Sequence, residues 1–292
     1  MSFSKEKHIK SATYAAVLTA STLVISKFIV WRLTDSMSLQ ASLMDSLLDV
    51  LASIVNFVVV RQALKPADEN HRFGHGKAEA LAGLAQSMFI TGSAFWLLIE
   101  VINRLTVPHA MVFNPFGNWV MIGATFLTLM LVLYQRYVIK KTNSLVIKAD
   151  CLHYKTDILT NLGVLLSLNL STRFQIARLD AFIGGAIALY ILWTSYEIIK
   201  SSLSVLMDEE LPDAPRNEIE AIVSSHEGVM GFHDLRTRSA GQYLFIQLHL
   251  DIDATLTLKR AHKIAQEVED SLKEHFPEAQ VIIHQDPYPH EL

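Results

Sequence analysis

The sequence has one cysteine, Cys151, among its 292 residues. A single cysteine rules out a disulfide framework within the chain and a zinc site built from several cysteines of one chain. Charged residues are also scarce, at 18% of the sequence, against about 25% in soluble domains. The net charge of −4 leaves no overall basic surface for nucleic acid. The sequence is rich instead in hydrophobic residues, at 51%, and in histidine, with twelve.

Two sequence motifs are absent as well. The segment Gly74-His-Gly-Lys77 superficially suggests a phosphate-binding loop, but it lacks the four-residue gap and the Ser or Thr of a Walker A motif. No His-Glu-x-x-His segment of a metalloprotease occurs. We therefore expect neither nucleotide binding nor enzymatic activity.

The charge distribution divides the chain into two parts. Residues 1–208 contain 18 Lys and Arg against 13 Asp and Glu, whereas residues 209–292 contain 7 against 16. Seven of the twelve histidines lie in the second part. We predict a mildly basic, apolar domain over 1–208 and an acidic, histidine-rich domain over 209–292.

The first part contains six apolar stretches, each long enough for the roughly 20 residues that cross a bilayer as a helix. We predict an all-α bundle of six transmembrane helices in a lipid bilayer; the alternative is a soluble all-α protein. The first stretch is too long for the apolar region of a signal peptide, so we expect it to stay as a span. The predicted spans are 11–32, 39–61, 80–103, 116–138, 147–171 and 178–200.

The distribution of lysine and arginine predicts the orientation of this bundle. With a cytoplasmic N-terminus, eleven Lys and Arg lie in the inner segments and four in the outer ones. Since positive charge is enriched on the cytoplasmic side, and the number of spans is even, we expect both termini in the cytoplasm.

Ionisable residues inside two of the predicted spans indicate a metal site. Asp45 and Asp49 in the second span are four residues apart, as are His153 and Asp157 in the fifth. Each pair lies on one helix face, and each charge is costly at membrane depth unless it has a partner. Three carboxylates and an imidazole suit Zn²⁺, while Fe²⁺, Mn²⁺ or Cd²⁺ also accept such ligands. Interhelical polar contacts or a proton relay without metal remain the alternatives.

A second candidate site lies in the loop after the second span. Asp68, His71 and His75 have spacings of three and four residues, which suit one metal ion between a turn and a loop. A solvated interfacial loop with incidental histidines is the alternative.

The acidic part predicts a small α+β domain with the element order αββαβ. Its histidines and one carboxylate fall on three strands and one helix, where they could converge on one or two zinc ions. Surface or capping histidines are the alternative. The candidate ligands are His233, His249, His262, His284 and Asp286.

These segments together resemble the cation diffusion facilitator family, in particular its bacterial inner-membrane zinc and ferrous-iron efflux antiporters. The resemblance extends over nearly the full chain. Its motifs are Leu43-Met-Asp45-Ser-Leu-Leu-Asp49, Arg72-Phe-Gly-His75-Gly-Lys77-Ala-Glu79, Ala149-Asp-Cys-Leu-His153-Tyr-Lys-Thr-Asp157, His233-Asp-Leu-Arg236-Thr-Arg238 and Ile282-Ile-His284-Gln-Asp286-Pro.

The resemblance implies a homodimer with a metallochaperone-like cytoplasmic domain, which exports a divalent metal ion in exchange for protons. It implies transport by Asp45, Asp49, His153 and Asp157, and it favours Zn²⁺ because His153 stands in that set. It also implies that Lys77 and Asp208 interlock the protomers, that Leu152 is a gate residue, and that the cytoplasmic site is binuclear. A membrane metal sensor, or a metal channel without proton coupling, is the competing hypothesis.

Overall fold

The structure, a computed structural model, describes residues 2–34, 37–106, 115–174 and 179–289. Some side chains at the helix ends are outside the description, and Asp45 is among them, so its predicted role as a ligand is outside the described residues. The side chains not described within those ranges are those of residues 2–3, 33–34, 37–42, 44–45, 104–106, 115–118, 120–121, 164–174 and 179–181.

The described residues of the first part form six long helices, at the positions that the apolar stretches predict. Five of them are long and apolar enough to cross a membrane within the described residues. The fifth helix in chain order is the exception, since its described half carries the lysines, aspartates and histidine of the candidate site. The helices are α1 (Ser2–Thr34), α2 (Met37–Ala63), α3 (Lys77–Thr106), α4 (Pro115–Thr142), α5 (Leu145–Phe174) and α6 (Leu179–Leu206).

Large apolar side chains cover the outside of this bundle. Trp96 on α3 is 74% exposed and Trp193 on α6 is 70% exposed, and many leucines, isoleucines and phenylalanines accompany them. A soluble monomer rarely exposes so much contiguous apolar surface. The prediction of a membrane bundle, rather than a soluble helical protein, accounts for this surface.

Small residues bring α1 close to its neighbours. Ala12, Ala16 and Ala20 are spaced four residues apart and are almost fully buried. Such a stripe of small side chains lets helix backbones approach closely in a membrane. Ala16 packs in one cluster with Leu131 of α4 and Tyr154 of α5, so α5 lies inside the bundle where its polar residues can face other helices.

The second part confirms the predicted order αββαβ. A described three-stranded sheet has the order β1-β2-β3, with β1 antiparallel and β3 parallel to the central strand. Ile246, Leu248 and Leu250 of the central strand pack with both helices in one core, so the opposite face of the sheet is left for other contacts. The elements are α7 (Asp213–Ser224), β1 (Gly231–Ala240), β2 (Tyr243–Asp253), α8 (Leu258–His275) and β3 (Ala279–Tyr288).

Candidate metal sites

The membrane bundle contains a cluster of two carboxylates and one imidazole, which we call the membrane cluster. Asp49 on α2 and His153 and Asp157 on α5 have ligand atoms within 4.8 Å of one another. Nε2 of His153 lies 2.9 Å from Oδ1 of Asp49 and 4.0 Å from Oδ2 of Asp157. All three side chains are partly buried. The structure thus brings together three of the four residues predicted from the spacing, and Asp45 lies one turn before Asp49.

Polar side chains connect α2 to α5 at three successive levels. The first contact along α2 belongs to the membrane cluster, and the other two lie nearer to the C-terminus of α2. Since α2 and α5 meet through hydrogen-bonding groups, their relative position is set by specific geometry rather than by apolar packing alone. The contacts are Asp49 with His153 at 2.9 Å, Ser53 with Tyr154 at 2.9 Å and Asn56 with Asp150 at 3.0 Å.

Asp150 forms the lowest of these levels and joins four helices. Its side chain is buried, and it accepts hydrogen bonds from the carboxamides of three other helices. Nδ2 of Asn56 on α2 donates at 3.0 Å, Nε2 of Gln86 on α3 at 3.3 Å and Nε2 of Gln135 on α4 at 2.6 Å. We call these four residues the Asp150 cluster. The partners of Asp150 lie 15 to 94 residues away in the sequence, so its role cannot be predicted from local spacing.

Leu152 precedes His153 directly and is buried at 4% exposure. It packs against Ile90 and Ala94 of α3 and Ile191 of α6. This environment is apolar, as a gate next to a cation site requires, and the role of Leu152 as a gate stays a prediction.

The loop residues also form a cluster. The ligand atoms of Asp68, His71 and His75 lie within 4.8 Å of one another. The backbone N–H of His71 donates to Oδ1 of Asp68 at 2.7 Å, which lowers the pKa of this carboxyl and keeps it ionised. Nε2 of His75 lies 3.3 Å from Oδ2 of Asp68. Nδ1 of His75 is buried without a hydrogen-bond partner in the described part of the chain.

The loop lies directly against the C-terminal domain. Nζ of Lys77 is 2.9 Å from Oδ1 of Asp208, and Nη1 of Arg238 is 3.2 Å from the same oxygen. Partial burial raises the pKa of Asp208, but the hydrogen bonds from Lys77 and Arg238 outweigh it, so the pKa lies below its usual value. The guanidinium of Arg238 also lies 5.1 Å from the ring centroid of Phe73 and 4.6 Å from that of Phe245. Lys77 and Asp208 therefore pair within one chain at the junction of the two domains.

Three histidines form a row across the sheet of the C-terminal domain. His233 on β1 is opposite His249 on β2, and His249 is opposite His284 on β3. The ring centroids are 5.0 Å apart in the first pair and 4.7 Å in the second. Because paired residues of neighbouring strands point to the same face, the register alone converts three distant histidines into one histidine row.

Two carboxylates lie beside the histidine row. Nδ1 of His249 is 2.7 Å from Oδ2 of Asp286, which lowers the pKa of that carboxyl. Oδ1 of Asp251 is 3.3 Å from Nδ1 of His233. Gly231 makes room for Asp251, since a Cβ at that position would lie 2.8 Å from Oδ2. Asp251 was missed by the sequence analysis, although its spacing of two from His249 on a strand places both on one face.

His262 lies elsewhere in this domain. It is exposed on α8, whose buried residues pack on the face of the sheet that carries Ile246 and Leu248, whereas His249 belongs to the opposite face. The group with ligand atoms within 4.8 Å comprises His233, His249 and Asp286. It includes neither His262 nor His284, although Nε2 of His284 lies 3.3 Å from Oδ1 of Asp286. The role of His262 as a ligand stays a prediction.

Comparisons with known proteins agree with this arrangement. Residues 13–207 match the cation efflux transmembrane domain, and residues 211–288 match the cytoplasmic domain of cation efflux proteins. The chain is similar to the cation-efflux pump FieF of Serratia proteamaculans strain 568 and of Yersinia enterocolitica, each with 47% identity over 279 residues, which cover 96% of this chain and 93% of the relative. It is also similar to protein p34 of Rickettsia prowazekii strain Madrid E, with 44% identity over 288 residues, covering 99% and 95%.

One solved structure that it resembles is the zinc form of the putative zinc transporter CzrB. The identity is 31%, with coverage of 29% of this chain and 98% of that chain and a TM-score of 0.28.

A helical membrane bundle with ionisable residues inside it, joined to a small sheet domain that carries a histidine row, defines a multi-pass membrane transporter of metal cations rather than an enzyme. The chain belongs to the cation efflux family. This confirms the resemblance drawn from the motifs.

Proposed function

We propose that the protein exports Zn²⁺ from the bacterial cytoplasm across the inner membrane in exchange for protons. The observation that carries the proposal is the membrane cluster, in which Asp49, His153 and Asp157 offer two carboxylates and one imidazole within 4.8 Å inside the bundle. Asp45 completes a four-ligand set in this proposal. Carboxylate and imidazole ligands suit Zn²⁺, and Fe²⁺ and Cd²⁺ fit the same ligand types less selectively.

Coupling to protons follows from the chemistry of these ligands. The carboxylates bind a metal ion only when ionised, and the imidazole binds it only when neutral, so metal binding releases protons and proton binding releases metal. Where the protein is open to the cytoplasm, Zn²⁺ displaces protons from the cluster. Where it is open to the more acidic outer side, protons displace Zn²⁺. An inward proton gradient then drives zinc outwards without nucleotide hydrolysis.

Alternating access requires α2 and α5 to move relative to the rest of the bundle. Both helices contribute to the membrane cluster, and Leu152 of α5 packs in an apolar contact with α3 and α6. A rocking motion that separates this contact would open the cluster to one side while closing the other. Leu152 is the gate residue in this proposal.

The proposal also includes the domain boundaries, the dimer and the two metal sites outside the membrane. Residues 1–208 are the transport domain and residues 209–292 the cytoplasmic domain, with both termini in the cytoplasm. The protein is a homodimer, and Lys77 and Asp208 interlock its protomers above the cytoplasmic domain. The loop site takes one metal ion, and the histidine row with Asp286 takes the cytoplasmic metal, which neutralises acidic surface and tightens the dimer. His262 joins the cytoplasmic site at the dimer region.

The test is zinc transport into proteoliposomes under an imposed pH gradient. Asp49→Ala and Asp157→Ala should each abolish transport, because each removes a charged ligand from the cluster. Glu197→Gln is the matched control, since Glu197 is a carboxylate on a spanning helix outside the cluster and should leave transport unchanged. Undiminished transport in either alanine variant would contradict the assignment of the membrane cluster as the transport site. Competition by Fe²⁺ and Cd²⁺ in the same assay ranks the three metals.

A metal channel and a membrane metal sensor would each give a different result in this assay. A channel would carry zinc down its own gradient without proton counterflow. A membrane metal sensor would bind zinc at the histidine row and show no zinc flux in the vesicles. Proton-coupled uphill flux excludes both.

A further inference from the structure

A cavity of about 340 Å³ lies between α4, α5 and α6, near the end of the bundle that meets the cytoplasmic domain. Four cationic side chains line it: Arg136 and Lys140 from α4, and Lys148 and Lys155 from α5. Glu197 of α6 is the one carboxylate in the lining. Three helices therefore direct an excess of positive charge into one recess.

The four cations form no close ion pair in the described part of the chain. None of them forms an ion pair within 4.0 Å with a residue that the structure describes. Lys148 is attracted by the buried carboxylate of Glu79 without forming such a pair. The carboxylate of Glu197 accepts a hydrogen bond from the indole N–H of Trp193 at 2.8 Å, along its own helix. The charges of the recess are thus left for an external anion.

Lys155 makes this arrangement costly without an anion. It lies ten residues after the first residue of α5, which corresponds to about 15 Å along the helix, and it is half-buried. An unpaired ammonium at such a depth in a bilayer is expensive, although its long stem can extend towards the headgroups. An enrichment of cations at cytoplasmic helix ends is general, but that enrichment does not require four of them to meet in one cavity.

The rest of the lining indicates the kind of anion. Ile139, Leu152 and Ile198 supply apolar surface beside the cations, and the neighbouring Trp193 is exposed on the outside of the bundle. Apolar walls do not stabilise a free phosphate ion, whereas they can contact the apolar part of a phospholipid, which is attached to its phosphate. Basic pockets between transmembrane helices on the cytoplasmic side are suited to such headgroups.

We propose that this cavity binds the phosphate group of an anionic phospholipid from the cytoplasmic leaflet, through Arg136, Lys140, Lys148 and Lys155. The lining includes Leu152 but none of the three residues of the membrane cluster, and the proposal does not depend on which metal the protein transports. Each cationic side chain contributes about a fivefold preference for an anionic lipid over a zwitterionic one.

Fluorescence quenching by brominated lipids tests the proposal on the full-length protein in vesicles. Trp193 is kept as the sole tryptophan by Trp31→Phe, Trp96→Phe and Trp119→Phe, because its indole contacts Glu197 at the cavity. Brominated phosphatidylglycerol in phosphatidylcholine vesicles should quench Trp193 at a mole fraction at least tenfold lower than brominated phosphatidylcholine does. The double substitution Lys148→Gln/Lys155→Gln should remove at least tenfold of this preference.

Controls separate the cavity from general surface charge and from folding. Lys141→Gln/Lys200→Gln removes two exposed cations outside the cavity and should keep the preference. Arg136→Gln/Lys140→Gln removes the two cations that α4 contributes to the cavity and should lose the preference for phosphatidylglycerol. This second variant keeps the test decisive if the α5 variant does not fold. Equal loss in the cavity and control variants would overturn the proposal. Displacement of the brominated phosphatidylglycerol by millimolar inorganic phosphate would overturn the lipid as the source.

Discussion

Replacing Asp150 by alanine should loosen the contact of α5 with three other helices. In the Asp150 cluster, Nδ2 of Asn56 keeps a second acceptor, Oε1 of Gln86 at 3.0 Å. Nε2 of Gln86 and Nε2 of Gln135 lose the acceptor that they share in the native bundle. A buried donor without a partner costs about 1–3 kcal/mol, so two such donors cost about 2–6 kcal/mol. At about 2 °C per kcal/mol for a protein of this size, that corresponds to a decrease of about 4–12 °C in the thermal midpoint.

Asp150→Asn is the matched variant. Oε1 of Gln135 is buried and has no hydrogen-bond partner among the described residues, so a rotation of the Gln135 amide would offer this oxygen to the new Asn side chain. The hydrogen bonds can then be re-formed, and we expect a cost of about 1 kcal/mol and zinc transport near the wild-type rate. Thermal unfolding of the purified protein and transport in proteoliposomes are the two measurements.

Two outcomes would refute this reasoning. If Asp150→Ala unfolds at the wild-type temperature, the cluster does not hold the helices together. If Asp150→Asn is as stable as the wild type but transports no zinc, Asp150 itself exchanges a proton or a metal ion and is more than a positioning residue.

Three further predictions concern the regions outside the membrane. The pKa of Asp208 lies below its usual value of 3.8, so its pair with Lys77 should stabilise the protein above about pH 4 and lose this effect as the pH falls through the lowered pKa. Asp208→Asn should therefore unfold earlier than the wild type at pH 6, and this difference should shrink as the pH is lowered below about 4; parallel pH profiles would contradict this. His75→Gln should lower the zinc affinity of the loop site at least tenfold, measured by calorimetry at pH 7, and an unchanged number of bound zinc ions would count against the site. Gly231→Ala should cost about 1–3 kcal/mol and weaken zinc binding at the histidine row, because its Cβ would lie 2.8 Å from Oδ2 of Asp251; unaltered binding would show that the carboxylate is not held there.

The helices of the bundle could be predicted because apolar length alone indicates a membrane span. The central strand of the C-terminal domain could be predicted for a different reason. Core and outward-facing residues alternate from Leu244 to Asp251, which is the period of a strand. Asp49 with His153 and Asp157 could be proposed as a group because charges inside apolar spans need a partner. Their common face on each helix follows from the spacing of four residues.

The missing parts of the sites depend on contacts that spacing does not encode. The sequence does not distinguish Asp150 from Asp49 or Asp157, but in the structure carboxamides from three other helices donate hydrogen bonds to Asp150. His262 looked equivalent to His249 in the sequence, yet the layer order of the domain places α8 on the core face of the sheet. Strand register, helix neighbours and layer order are set by the whole packed chain, so a motif read in isolation does not contain them.

The central claim is that zinc leaves the cytoplasm in exchange for protons at the membrane cluster. The most direct test records zinc and pH together, with two dyes enclosed in the same proteoliposomes. A pH gradient imposed without a zinc gradient should drive zinc flux towards the acidic side and proton flux in the opposite direction, and both should vanish in Asp157→Ala. Zinc flux that ignores the pH gradient, or that proceeds without proton counterflow, would contradict the account.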